Sequence, residues 1–244
     1  MRTYQIRPEA PPPYDRVVFD CDSTLSSIEG IEELAAGRPE LRDEIAALTD
    51  QAMSGAIPLE QVYARRLELL APRRVEVAQI GRLYMETALP HAREVVSLLH
   101  ALDKEVRVVS GGLMLAVQPF AAWLGVRAER VHAVPIRFDV NEHYLAVDES
   151  CPLARAGGKR ELVASWPALS TVMVGDGMTD AEVAPAVSAF VCFAGVVERP
   201  AVAELAHAVV RRPDLAALLP ALLSADELER IRRDPRHRPL LAHA

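Results

Sequence analysis

Five short runs in this chain are continuously apolar and β-branched instead of alternating with polar positions: Val17-Val18-Phe19, Val106 to Val109, Thr171 to Val174, Ala189 to Phe193 and Ala208 to Val210. Such runs predict strands buried on both faces, as in a parallel sheet. Between them, helical spacing covers residues 90–102, 113–124, 159–164, 179–186 and 200–206. Strand alternating with helix predicts an α/β domain built on a doubly wound parallel sheet with right-handed crossovers. Ligands bind such sheets at the carboxyl ends of the strands, so the residues that close each run carry the functional information.

Two segments break the rhythm. Residues 28–88 show helix after helix without a convincing strand, with turns suggested at Gly37-Arg38-Pro39, Gly55 to Pro58 and Pro72. They predict a helical cap domain inserted after the first strand. Residues 130–152 alternate apolar and polar positions (Val134, Ile136, Phe138, Val140) and turn at Asn141-Glu142-His143, which predicts a small inserted β-hairpin. The expected organisation is a catalytic core over 15–27 and 89–224, a cap over 28–88, and tails at 1–14 and 232–244. The second tail, rich in Arg, Pro and His, is expected to be frayed.

Composition narrows the class. Half of the residues are hydrophobic but only 5% are aromatic, so the core is built from Ala, Val and Leu, as suits a sheet between helices. There are 27 basic and 34 acidic side chains, a formal charge of -7, which argues against general nucleic-acid affinity. An anionic substrate must then be drawn in by local charges. Cys21, Cys151 and Cys192 form no CxxC pair, so a reducing compartment fits best. No apolar stretch approaches the roughly 18 residues of a membrane span. The expectation is a cytoplasmic protein, monomer or homodimer, without membrane partners.

The strand ends carry the chemistry. The first run closes in Asp20-Cys21-Asp22-Ser23-Thr24. In extended chain, side chains two apart point the same way, so both carboxylates leave the strand tip together. Two like charges there are costly unless a cation compensates. Alone, the motif reads equally well as a turn with a helix cap. The Thr171 run closes in Gly175-Asp176-Gly177-Met178-Thr179-Asp180, adding two more acids, and Asp180 stands where a dinucleotide fingerprint needs a third Gly. Four carboxylates converging on one sheet edge call for a hard cation. Mg2+ is preferred, because it accepts one or two carboxylates plus a substrate phosphate while keeping several waters. Ser110-Gly111-Gly112 closes the second run with a hydroxyl and bare backbone N–H groups, an anion site, though the motif alone is more often an ordinary loop. Lys159, after Gly157-Gly158, opens a helix where a cation opposes the macrodipole, which suggests a task such as holding phosphate.

Asp-x-Asp-x-Thr, Ser-Gly-Gly, Gly-Gly-Lys and Gly-Asp-Gly-x-Thr-Asp, in this order from Val17 to about Val210, resemble the haloacid dehalogenase superfamily of phosphatases. The resemblance implies that Asp20 is a nucleophile forming an aspartyl-phosphate, and that Asp22 protonates the leaving alkoxide and then takes a proton from water. It implies Mg2+ held by the Asp20 side chain, the Asp22 carbonyl and Asp176. Ser110 and Lys159 would bind the phosphoryl oxygens, helped by Gly111, Gly112 and Thr179, and Asp180 would support the metal site and Lys159.

Within the superfamily the chain is most similar to phosphoserine phosphatases, through Asp22-Ser23-Thr24, Glu29-Gly30-Ile31, Glu33-Leu34-Ala35, Thr49, Ala52-Met53, Gly55, Arg66-Leu67 and Leu69-Leu70. The similarity implies that Glu29 meets a substrate ammonium, that Arg66 grips its carboxylate, and that Met53 and Leu59 close over the ligand. The implied substrate is a small anionic phosphorylated metabolite, phosphoserine favoured. Read without it, Glu29 is a charge in a helical first turn and Arg66 the polar face of an amphipathic helix. The chain departs from the family pattern at Leu59, Val62-Tyr63, Arg160 and Thr179, where the pocket can differ. Competing readings are another phosphate monoester, phosphoryl transfer to an alcohol, a receiver-type signalling domain, and a catalytically dead binding protein.

Overall fold

The first apolar run becomes β1 (Arg16–Phe19), buried along its whole length. In this computed structural model, residues 11–41, 43–45, 47–48, 59–148 and 150–244 are described. β1 is flanked by two parallel partners, β2 (Glu105–Leu113) and β6 (Thr171–Gly175), with Phe19 opposite Val108 and Val174. Outward from β6 lie β7 (Ala189–Phe193) and β8 (Ala208–Val210), both parallel. Outward from β2 lies β3 (Val131–Val134). The six-stranded order is β3-β2-β1-β6-β7-β8, so the winding reverses beside β1 and a crevice opens at the carboxyl ends of β1 and β6. Val17, Val18, Phe19, Val106, Val172, Met173, Val174, Phe190 and Phe193 are wholly inaccessible. Each such side chain contributes about 1.5–3 kcal/mol by leaving water.

β3 corrects the sequence reading. Residues 131–134 form the sixth strand of the parallel sheet, whereas the pattern assigned the whole of 130–152 to a hairpin. Pro135 explains the break, since it has no N–H to continue the ladder. After it the chain leaves the sheet as the antiparallel pair β4 (Ile136–Phe138) and β5 (Tyr144–Val147). Apolar alternation runs straight through Pro135, which hid the change of sheet. Val140, counted with the strand, is 98% exposed in the turn.

The helices that follow β1 include α1 (Gly30–Ala36), α2 (Leu59–Leu70) and α3 (Arg74–Glu86). α3 buries Val77, Ile80, Gly81 and Tyr84, an i, i+3, i+4, i+7 stripe. That stripe lies on α5 (Met114–Leu124), which follows β2 and α4 (Ala92–Ala101). A Cβ on Gly81 would come within 3.0 Å of the Ala116 carbonyl oxygen, so the close approach of α3 to α5 requires glycine. The two crossings between the sheet and these helices run side by side, with Leu89 N–H donating to Leu25 O at 3.0 Å and Ser27 N–H to Thr87 O at 3.0 Å.

Further along the chain lie α6 (Gly158–Ala164), α7 (Met178–Ala181), α8 (Pro200–Leu205), α9 (Leu219–Leu222) and α10 (Ala225–Arg233). The tail expected to fray is folded. Ser224 and Glu227 close a reciprocal capping box at the start of α10. Ile231 and, from a 3-10 turn over Arg238–Ala242, Leu240 are buried. Within 232–244 it is Leu240, with Leu241 packed beside it, that anchors the segment, and Ile231 just before it; the Arg and Pro around them hide these anchors in sequence. Among the described residues no helix is long and apolar enough to cross a membrane.

Candidate active site

Asp20 follows β1 and Asp176 follows β6, so neighbouring strands deliver two buried carboxylates to the crevice; Asp20 N–H donates to Val174 O at 2.9 Å. Asp180 returns to them from α7. Its carboxylate Oδ2 accepts from Gly177 N–H at 3.0 Å and lies 2.3 Å from where a Cβ on Gly175 would stand. Glycine at 175 is what makes room for it. Asp20, Asp176 and Asp180 each offer an oxygen to a cluster whose atoms lie within 4.8 Å of one another.

Lys159, in the first turn of α6 and 6% exposed, sits between two of these acids. Its Nζ is 2.7 Å from Asp180 Oδ1 and 2.8 Å from Asp20 Oδ1. Burial alone would lower its pKa, but Asp180 and Asp20 outweigh burial and push it up, so Lys159 is charged. Asp20 Oδ1 has this ion pair but no well-directed hydrogen bond. Asp176 pairs with Arg199, and its Oδ1 accepts from Thr24 Oγ1 at 3.3 Å. Burial and the Asp20 charge push Asp176 up to about 7, with Arg199 opposing. Asp180 is raised by the same two causes, with Lys159 opposing.

Asp22 turns away from that cluster. Its Oδ1 accepts from Tyr84 Oη at 2.6 Å and from Gly30 N–H at 2.7 Å, and Ser110 Oγ is 3.4 Å from its Oδ2. Desolvation and Asp20 raise Asp22 to about 6 against those hydrogen bonds. Gly112 N–H donates to Ser110 Oγ at 2.9 Å, so it is not bare as the sequence suggested. Gly111 borders open space, and its carbonyl accepts from Tyr63 Oη at 2.8 Å, which ties α2 to the end of β2.

Glu29, just before α1, accepts from Ser23 Oγ at 2.6 Å; burial and the Asp22 charge raise it to about 7. Arg65 and Arg66 divide their roles. Arg65 faces solvent beside Glu44 and Glu68, each at 3.6 Å. Arg66 turns inward, where burial lowers its pKa against the charges of Glu32, Tyr63, Glu29 and Asp22, and its Nε has no hydrogen-bond partner among the described residues. Thr179 lies in the first turn of α7, its Oγ1 3.6 Å from where a Cβ on Gly177 would stand. Met53, with Thr49, Ala52, and the Gly55 to Pro58 turn, lies outside the described residues.

Sequence reasoning missed three residues here. Tyr84 holds Asp22 from a helix 62 positions further along the chain, with no local signal. Tyr63 appeared only as a departure from a pattern. Arg199 was within reach of the strand-end rule, since it lies in the loop that follows β7.

The acids crowd this crevice beyond what Lys159, Arg199 and Arg66 neutralise, and the all-oxygen donor set of Asp20, Asp176 and Asp180 suits a hard cation. Residues 17–185 match the haloacid dehalogenase-like hydrolases. The chain belongs to this family. It is 35% identical over 212 residues to phosphoserine phosphatase of Bos taurus, spanning 85% of this chain and 93% of that protein. It is 36% identical over 194 residues to the Drosophila melanogaster phosphoserine phosphatase, spanning 76% and 70%. A solved structure of a phospho-aspartyl intermediate analogue of phosphoserine phosphatase matches with a TM-score of 0.68 at 26% identity, spanning 86% of this chain and 100% of the other. A phosphoserine phosphohydrolase-like protein from Francisella tularensis shares the fold, with a TM-score of 0.74 at 24% identity over 84% and 97% of the two chains. This haloacid dehalogenase-like hydrolase is a phosphoric monoester hydrolase.

Proposed function

We propose that the enzyme hydrolyses O-phosphoserine to serine and phosphate, with Mg2+ as cofactor and Asp20 as nucleophile. Asp20 and Asp176, with the Asp22 carbonyl, would hold the ion, and Asp180 would support them. When bound, Mg2+ supplies positive charge to the phosphoryl oxygens. Lys159 and Ser110 hold those oxygens, with Gly111, Gly112 and Thr179 around them. An Asp20 carboxylate oxygen bonds to phosphorus as the bond to the serine oxygen breaks, and Asp22 delivers a proton to that oxygen. Water then attacks the phosphorus of the aspartyl-phosphate, gives its proton to Asp22, and releases Asp20. A carboxyl group at about 6 is suited to donate and accept near neutral pH. Phosphoryl transfer depends chiefly on such positioning and charge.

The observation that carries the substrate choice is the pair Glu29 and Arg66. One is a carboxylate that accepts from Ser23, the other an inward guanidinium whose Nε has no hydrogen-bond partner among the described residues. Together they match the ammonium and carboxylate of a zwitterionic head, the latter in bidentate geometry. Residues 28–88 act in this reading as the cap that brings both to a core over 15–27 and 89–224. The test is kcat/KM for phosphoserine, phosphoethanolamine and phosphoglycolate, with Mg2+ and with chelator. Phosphoserine is expected to lead by up to about 10⁴-fold, because a truncated substrate leaves a buried partner unpaired. Equal values for all three discard the Glu29 and Arg66 assignment and leave a phosphatase for another small phosphorylated metabolite.

A further inference from the structure

The folded tail brings a second set of metal-ligating side chains together. His91 precedes α4 with φ 60, a left-handed backbone that disfavours residues with a Cβ. That conformation holds its Nδ1 2.8 Å from Asp214 Oδ1. Asp214, 8% exposed in the loop after β8, is fixed by Ala216 N–H, which donates to Oδ1 at 2.9 Å, and by Arg212 Nη2, 3.5 Å from Oδ2. His243 arrives from the tail, its ring centroid 4.2 Å from that of His91 and its Nδ1 3.6 Å from Asp214 Oδ2. One ligand atom from each of the three residues lies within 4.8 Å of the others.

We propose that His91, Asp214 and His243 form a binding site for a first-row transition-metal cation, zinc above all, which pins the C-terminal tail to the body of the enzyme. Two imidazoles and a carboxylate with a free position are donors that zinc accepts. Ligands about 2.1 Å from a tetrahedral zinc stand about 3.4 Å apart, and the three donor atoms, all within 4.8 Å of one another, close to that spacing with small side-chain adjustments. Ala216 and Arg212 orient the carboxylate as outer partners do in metal sites. His91 and His243 also line a cavity of about 900 Å³, which gives an ion a way in. The all-oxygen cluster of Asp20, Asp176 and Asp180 suits a harder ion, so the two sites select different metals.

The experiment uses the full chain without an affinity tag, in excess Mg2+. Co2+ is titrated and followed by visible absorption, which is strong for four-coordinate and weak for six-coordinate oxygen-ligated cobalt. Wild type is expected to bind one equivalent with the strong band, to lose it to one equivalent of zinc, and to show a zinc-dependent rise in Tm. His243→Ala and His91→Ala abolish both signals and leave Mg2+-supported phosphatase activity within about twofold of wild type. The His243 side chain is half exposed, so its variant folds. Only a weak band, a band that Mg2+ removes, or a band and Tm shift retained in His243→Ala overturns the proposal and leaves a simple His–Asp ion pair.

Discussion

Replacing Tyr84 by Phe removes one hydroxyl and little else. The ring is wholly buried and stacks on Phe120 with centroids 5.5 Å apart, packing that Phe retains. What is lost is the 2.6 Å hydrogen bond from Tyr84 Oη to Asp22 Oδ1. A hydrogen bond to a charged acceptor is worth about 1.5–3 kcal/mol, or about 10- to 150-fold in rate if felt wholly in the transition state. Gly30 N–H still holds the same oxygen at 2.7 Å, so the lower end applies. The expected result is a kcat about tenfold below wild type with KM changed less than about twofold, because Asp22 loses its aim but substrate contacts stay. Gly30→Ala strikes the same bond from the other side, since a Cβ there would stand 2.2 Å from Tyr84 Oη. In the Tyr84→Phe background that collision is partly relieved, so the two losses should be less than additive. Steady-state kinetics on the two single variants and the double variant make the test. A folded Tyr84→Phe enzyme with kcat within twofold of wild type refutes the idea that Tyr84 positions Asp22.

Gly175→Ala would place a Cβ 2.3 Å from the Asp180 carboxyl, displace it from Lys159, and lower kcat by about 10- to 100-fold; kinetics at saturating Mg2+ check this. Glu105 supplies a pH-dependent contribution to stability. Desolvation alone would raise its pKa, but hydrogen bonds from Arg107 and Arg16 hold it down at about 2, from an ordinary 4.5. A depressed carboxylate stabilises the fold above about 4.5 and loses that contribution as pH falls toward 2. Glu105→Gln should therefore cost about 1–2 kcal/mol at pH 7, discounted for partial exposure, and match wild type near pH 2 in urea melts.

Most of the sheet was legible because its strands are continuous apolar runs, which few other environments tolerate. β3 was not, because apolar alternation continues through Pro135 and only the missing N–H marks the change of sheet. The four acids and Ser110 were legible as strand-end motifs, since β1, β2 and β6 lie side by side and deliver their ends to one crevice, and Lys159 as a cation placed against the dipole at a helix start. Tyr84 and Tyr63 were not, for they reach the site from helices whose inward positions look like ordinary core. The tail misled for the opposite reason. Its Arg and Pro suggested solvent, yet Leu240, and Ile231 just before it, are buried against the body.

The central claim is that Asp20 accepts phosphorus beside a hard cation. Rapid acid quench of the enzyme during turnover of phosphoserine with Mg2+, followed by peptide mass spectrometry, tests it directly. One added phosphoryl group is expected on the peptide containing Asp20, base-labile, absent in Asp20→Asn and absent with chelator. A phosphoryl group on another residue, or full turnover by Asp20→Asn with no trapped species, contradicts it.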